Sequence, residues 1–424
     1  MTPEAFYHAL FNEWQAYFVI LIFVFLLYFV LLKNRIESIF DPLFLGFLFS
    51  AFGAADVYFL FAFDLIRPYY FFSYCATQTA FLIGFLLFPP ISPQYAKCGV
   101  ALPNRSSVVL LYVISALCFI ILQIFSYWKR GIPIFLDSRL ENYYNQGIIG
   151  SFLNKALEPI GLITSVLSLH FLVAGRGGAK LFSKFVLVFV IVFAILTGSK
   201  SNFYGLITVA FTYYLFSRRF LPPEPIKKLK VLFHRLGVMA VIVAILIVVF
   251  KLNNSNPLVY LGLRLIQSGD SYFYAYGNDA INQLTKANFV VALFPGFAKL
   301  LGFIGNENVP SLGTELFRIV NKYAALDGPN ARHNVFGLAY LGPYWSVAYS
   351  FVLGTILGFA RSGLYRWLPM TPLGAVVYVV IFISVSGIET DANMAFSNLV
   401  GVFSIGVFLF MLSLLLSTVS RVTK

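Results

Sequence analysis

The chain has 424 residues, of which 59% are hydrophobic and 11% charged, with a net charge of +13 and a mean hydropathy of +0.83. A soluble domain carries about 25% charged residues, so this chain has too few to cover a globule of its length. That excludes a soluble enzyme, a disordered chain and a disulfide scaffold. Its apolar runs continue for about 20 residues, the length that crosses a bilayer as a helix, whereas a membrane β-barrel would alternate apolar and polar positions. The expected class is an all-α polytopic membrane protein.

In chain order, the first apolar run reaches from Trp14 to Leu32, with no Lys or Arg ahead of it and no small-residue cleavage site behind it. It reads as a membrane helix rather than a signal peptide. Ten further spans are expected near 42–63, 68–88, 107–127, 151–173, 180–197, 201–217, 236–252, 335–359, 372–388 and 396–417, about eleven transmembrane helices in one membrane domain, 1–424. Three longer connections separate them: 128–150, a basic loop at 218–235 that starts with a rigid Pro-rich stretch, and a large loop at 251–334. With the N-terminus outside, seventeen Lys and Arg fall on the short inner segments, against Arg67 and Lys200 on the short outer ones. Positive charge stays on the cytoplasmic side, so the N-terminus is placed outside, the C-terminus inside, and 128–150 and 251–334 on the outer face. Within the large loop, residues 311–323 put Leu312, Leu316, Ile319 and Tyr323 on one helical face, the pattern of a helix lying in the interface. Residues 287–304 are apolar apart from the Pro295-Gly296 interruption, and read as a re-entrant or spanning segment.

Three cysteines form no CxxC pair and four histidines stand at no metal-ligand spacing, so neither a disulfide framework nor a metal centre is expected. The positive charge is assigned to topology and anionic lipid rather than nucleic acid. Chemistry concentrates instead at Arg332-His333-Asn334, followed by Gly337, Tyr340, Leu341 and Gly342, where the large loop ends and the span 335–359 begins. A neutral imidazole at a helix N-terminus beside a guanidinium suits a phosphate and can take a proton; the plainer alternative is an interfacial histidine. Arg264 lies among apolar residues in the segment that ends at Asp270, Ser271 and Tyr272. An arginine so placed is costly unless it meets an anion, and its fork matches pyrophosphate. Asp270 either pairs with Arg264 or accepts from a sugar hydroxyl. Arg139 opens an amide- and phenol-rich stretch, and Lys200 sits on the turn Thr197-Gly198-Ser199-Lys200, whose backbone N–H groups can face an anion. Asp56 and Glu158 are intramembrane carboxylates, coupling sites in a transporter or pairs to a neighbouring helix. The Gly354 and Gly358 spacing points to close helix packing.

The layout of many spans, the Thr197-Gly198-Ser199-Lys200 turn, the late outer loop and His333-Asn334 leading into Tyr340-Leu341-Gly342 resemble bacterial oligosaccharide repeat-unit polymerases of the Wzy type, relatives of O-antigen ligases. Arg139 to Gly150 also resembles an Arg-x10-Gly loop motif of such polymerases. The second loop departs from it, since Ala275 stands eleven positions after Arg264, and Lys200 stands where an Arg is commoner. The resemblance implies a GT-C-like glycosyltransferase fold in the bacterial inner (plasma) membrane. It implies polymerisation, at the periplasmic face, of undecaprenyl-pyrophosphate-linked glycans into O-antigen or another surface polysaccharide. No cofactor is implied; the implied partners are the lipid-linked glycans, the lipid bilayer and a chain-length regulator protein. In that frame His333 accepts the proton of the acceptor hydroxyl or holds that hydroxyl, Arg264 clamps the pyrophosphate in the same cavity, and Asp270 is a third catalytic group. Arg139, Lys200, Arg332, Asn334 and Tyr272 hold substrate. An O-antigen ligase, using the same donor with a lipid A-core acceptor, and a lipid-linked glycan flippase or secondary transporter are the alternatives.

Overall fold

The computed structural model describes residues 2–92, 105–136, 147–197, 200–251, 257–277, 279–284, 288–295, 298, 311–321 and 328–422. Among them every regular element is helical. In chain order the helices are α1 (Pro3–Asn12), α2 (Trp14–Leu32), α3 (Pro42–Ala62), α4 (Pro68–Leu86), α5 (Arg105–Arg130), α6 (Gly147–Ala174), α7 (Gly178–Leu196), α8 (Lys200–Ser217) and α9 (Pro223–Lys251). Then come α10 (Pro257–Ile266), α11 (Asp270–Tyr276), α12 (Phe289–Leu293), α13 (Leu312–Val320), α14 (His333–Gly358), α15 (Leu364–Trp367), α16 (Pro372–Val385) and α17 (Ala392–Val422). A helix covers each of the eleven expected positions. Seven of the described helices, α2, α3, α5, α6, α7, α14 and α17, are long and apolar enough to cross a membrane. The helix α4 falls short of that mark and carries the polar residues Ser73, Thr77, Gln78 and Thr79, two of which belong to the site described below.

The chain divides into two compact units. The first holds Met1–Pro90, Val248–Gly363 and Val385–Phe396. In it α2 buries only Tyr17, Val24, Tyr28 and Leu32, a single stripe that faces the other helices, while Phe18, Val19, Phe23, Leu26, Phe29 and Val30 point outward. An exposed apolar face of this kind is what lipid replaces water on. Asp41 starts α3 by accepting the Leu43 N–H at 3.1 Å, with Pro42 at the first helical position, where its missing N–H costs nothing. The same carboxylate pairs with the buried Arg361, which lies on a single π-turn, Phe359–Gly363. Arg361, counted in the sequence among the loop charges, is thus a structural ion pair that ties the start of α3 to the end of α14. Helices α4 and α14 touch through glycines: a Cβ at Gly354 would lie 2.0 Å from the Phe81 carbonyl oxygen, and one at Gly84 would lie 2.2 Å from that of Phe351. The close packing expected of Gly354 and Gly358 is present.

One expectation changes in this unit. The span 335–359 is not one straight helix. At Gly342, φ is 75° and ψ is −177°, a backbone open essentially to glycine alone, and Pro343 follows. Residues 333–341 fold back beside 343–358, so that a Cβ on Gly337 would meet Ser346 at 3.0 Å and Tyr349 at 3.1 Å. In the described part of the large loop the apolar content is packed inward. Ser271–Tyr276 of α11 are all buried, Phe6 of α1 stacks on Phe273 at 4.6 Å, and Tyr70 of α4 stacks on Tyr276 at 5.0 Å. The expected amphipathic helix forms as α13 with Leu312 and Leu316 buried; Tyr323 lies outside the described residues. Of 287–304, the described part contains the five-residue α12 and no spanning helix.

The second unit comprises Ile91–Ile247, Leu364–Ser384 and Ser397–Lys424. Its buried polar groups pair between helices. Ser168 on α6 donates to the Tyr112 hydroxyl on α5 at 3.1 Å, and His170 on α6 pairs with the Tyr213 hydroxyl on α8 at 2.9 Å. Asn398 donates to Glu158 at 2.7 Å, so this intramembrane carboxylate is held by a neighbouring helix. The expected basic loop 218–235 is mostly helical. From Pro223 it forms the first turns of α9, with Ile226, Leu229 and Phe233 buried and Lys227, Lys228 and Lys230 exposed.

Candidate functional site

Arg332, His333 and Asn334 are 3%, 0% and 1% exposed and sit at the start of the shorter arm of the α14 hairpin. They face the middle of α4 in the first unit. The reason lies in the break at Gly342: an unbroken helix would carry His333 to one end of the span, whereas the fold-back returns it to the level of Gln78, eleven residues into α4. Asn334 donates to Thr77 Oγ1 at 2.9 Å and to Gln78 Oε1 at 3.2 Å. The Tyr272 hydroxyl of α11 donates to Asn334 Oδ1 at 2.7 Å. His333 Nε2 lies 3.2 Å from Gln78 Oε1, its Nδ1 lies 2.9 Å from Ser350 Oγ on the longer arm, and its ring stacks on Phe81 at 4.7 Å. Gln78 Nε2 donates to Glu389 Oε1 at 2.9 Å and to the Tyr28 hydroxyl at 2.8 Å. The backbone carbonyl of Glu389, in the turn before α17, also accepts the His333 N–H at 3.3 Å.

The Arg332 guanidinium uses all three nitrogens on neutral groups: Nε to the Ser268 carbonyl at 2.9 Å, Nη2 to the Phe49 carbonyl at 2.8 Å, and Nη1 to Ser50 Oγ at 3.2 Å. It also lies over the Tyr272 ring at 5.8 Å. Gly53 makes this possible, because a Cβ there would stand 3.2 Å from the guanidinium carbon and 3.1 Å from the Tyr272 ring. The charge therefore stands fixed among carbonyl dipoles, with the buried Glu389 carboxyl close enough to feel it. Burial pushes Glu389 above the usual carboxylate range, and Arg332, Ser50 and Gln78 oppose that shift.

Beside this cluster lies a carboxylate pair. Asp56 on α3 accepts from the Tyr17 hydroxyl at 2.8 Å and packs its other oxygen against Gly269. Asp270 is near enough for the two charges to repel. Burial pushes Asp270 up to about 7; a hydrogen bond from Tyr7 and the charge of Arg264 hold it back.

The structure thus brings Arg332, His333, Asn334 and Tyr272 into one cluster, with Asp270 on its flank. Arg264 is exposed on α10 and acts on Asp270; the guanidinium that stands beside His333 is that of Arg332. Arg139 lies outside the described residues, as does the side chain of Lys200. Sequence reasoning missed Gln78, Glu389, Ser350, Thr77 and Tyr28. Their only signal is a polar side chain inside or next to an apolar run, with nothing local to name its partner. Among the described residues no three His, Cys, Asp or Glu side chains come together as a metal site would require. A groove of about 250 Å³ in the first unit runs between α2 and α3 and is lined mostly by apolar residues, with Tyr28 joining it to the cluster. Comparison with protein-family models, with curated proteins and with solved structures found no match.

Proposed function

We propose that the chain is a membrane glycosyltransferase that joins polyprenyl-pyrophosphate-linked oligosaccharide repeat units into a polymer, with about eleven crossings, its N-terminus outside and its chemistry served from the outer face. The observation that carries this reading is the buried cluster of Arg332, His333 and Asn334, a fixed cation and an imidazole held side by side inside the first unit. Polymerisation asks for that pair. A bond forms between the acceptor hydroxyl oxygen and the anomeric carbon of the donor, and the bond from that carbon to the pyrophosphate oxygen breaks. The hydroxyl proton passes to a base, and the pyrophosphate leaves with both bonding electrons. Arg332 supplies preorganised positive charge for the departing pyrophosphate, the kind of contribution worth about 10²–10³ in rate. His333 supplies the lone pair for the proton. Arg264, Arg139 and Lys200 recruit the anionic donor from the membrane surface.

A second reading, a transporter of lipid-linked glycans, is favoured by one observation: α14 is broken at Gly342 and the shorter arm starts among the buried charged groups Arg332 and Glu389, as in carriers with discontinuous helices. Deleting the gene and resolving surface polysaccharide on gels separates the readings. Polymerase loss leaves a single repeat unit on the surface acceptor. Ligase loss leaves none and accumulates lipid-linked polymer. Transporter loss leaves single lipid-linked units on the inner leaflet.

A further inference from the structure

The hydrogen bonds around His333 can be assigned from the donor and acceptor capacity of each side chain. Thr77 spends its hydroxyl proton on a backbone carbonyl of its own helix, that of Ser73 at 2.8 Å or Tyr74 at 3.0 Å. Its oxygen is therefore the acceptor for Asn334, which places the Asn334 amide nitrogen there and turns Oδ1 toward the Tyr272 hydroxyl. The second Asn334 N–H points at Gln78, so Gln78 presents its carbonyl to Asn334 and its NH₂ to Glu389 and Tyr28. The opposite orientation of Gln78 would set NH₂ against NH₂ on one side and oxygen against carboxyl on the other. The carbonyl oxygen of Gln78 has two lone pairs. One takes the Asn334 N–H and the other faces His333 Nε2. A bare Nε2 would meet that lone pair with its own, so Nε2 carries a proton. The site already holds the Arg332 charge in buried surroundings, where a second cation is costly, so the ring is neutral and Nδ1 is the acceptor, facing Ser350.

We infer that Gln78 and Glu389 are positioning residues that lock His333 in the neutral Nε2–H tautomer and aim the Nδ1 lone pair at the hydroxyl position held by Ser350. Glu389 acts through Gln78: it fixes the amide orientation by accepting from Nε2, and it anchors the start of the helix by accepting the His333 N–H. Ser350 is fully buried and marks where an incoming hydroxyl would meet the base. That last consequence rests on the proposed glycosyltransferase role; the tautomer itself rests only on the hydrogen bonds.

The test is ¹⁵N spectroscopy of the histidine rings in the purified full-length protein in detergent or nanodiscs at neutral pH. The chain has four histidines, and the His333 signals are those lost in His333→Gln. The expected wild-type spectrum shows one neutral ring for His333, protonated at Nε2. Glu389→Gln keeps an acceptor for Gln78 and retains that spectrum. Gln78→Met, similar in size but with no acceptor, yields exchange between the two tautomers. An Nδ1–H ring or an imidazolium in the wild type overturns the inference, and so does a Gln78→Met spectrum identical to wild type. If Gln78→Met does not fold, the wild-type spectrum decides alone. The spectra report the tautomer whether or not polymer forms. A correct tautomer in a protein that makes no polymer would count against the proposed function and leave the inference standing.

Discussion

At the scale of single residues, Arg332 is the group whose replacement says most. Its three nitrogens satisfy two backbone carbonyls and one hydroxyl, and each buried partner left unsatisfied costs about 1–3 kcal/mol. Arg332→Ala should therefore lower stability by several kcal/mol, on the order of the sum of those losses. Arg332→Lys keeps the charge but cannot span three acceptors from one planar fork. It should fold with a reduced unfolding midpoint and lose polymer formation by about 10²–10³. Thermal unfolding and polymer yield at matched membrane levels check both; a lysine variant with wild-type yield would remove Arg332 from the chemistry. Asp270 gives a pH test. Its folded-state value, about 7, exceeds the ordinary carboxylate value, so the fold binds a proton that the unfolded chain releases. The associated stability is fully present below the unfolded value and is lost as pH rises through about 7. Wild-type protein should melt lower at pH 8 than at pH 5. Asp270→Asn should flatten part of that dependence, since Glu315, Glu389 and Asp391 are raised by burial in the same direction. An unchanged slope in Asp270→Asn would show that this carboxyl is not perturbed. Much of this site was legible beforehand, because an Arg-His-Asn run and an arginine near an aspartate stand out against apolar sequence. The choice between Arg264 and Arg332 was not legible. It is a fact of packing between α3 and the start of α14, where Arg332 lies against Gly53.

At the scale of elements, the helices were readable because hydrophobic length decides them, and the reading failed where a short polar signal decided the path instead. Gly342-Pro343 was visible inside the span 335–359, yet a helix of that length can absorb a proline, and nothing local shows that the chain turns back. The fold-back moves His333 from the end of a span to the middle of α4, which is why Gln78 and Glu389 escaped notice. The basic stretch after Pro223 was read as a loop from its prolines and lysines, while its Ile226, Leu229 and Phe233 stripe makes it helical. The hairpin carries a direct prediction. Gly342→Ala forces an L-residue into a conformation that costs about 1–3 kcal/mol, and the arm bearing His333 should shift with it. Both the unfolding midpoint and polymer yield should fall. Gly406→Ala on α17, with open space around it, should change neither. Equal behaviour of the two variants would mean that the turn at Gly342 is not needed.

At the scale of the whole molecule, composition alone gives a multi-pass helical membrane protein, and seven long apolar helices agree with it. The proposed orientation rests on the distribution of basic residues. Cysteine labelling in intact cells should leave position 228 unreactive to an impermeant reagent and label position 318, which is exposed; the reverse pattern would invert the topology. The central claim, that this chain forms glycosidic bonds on lipid-linked repeats, is tested most directly with purified protein in liposomes that contain polyprenyl-pyrophosphate-linked repeat units as the only glycan. The prediction is a ladder of lengthening lipid-linked products with release of polyprenyl pyrophosphate, undiminished by excess EDTA and absent with His333→Gln. Liposomes that move the intact units across the bilayer without lengthening them would contradict it.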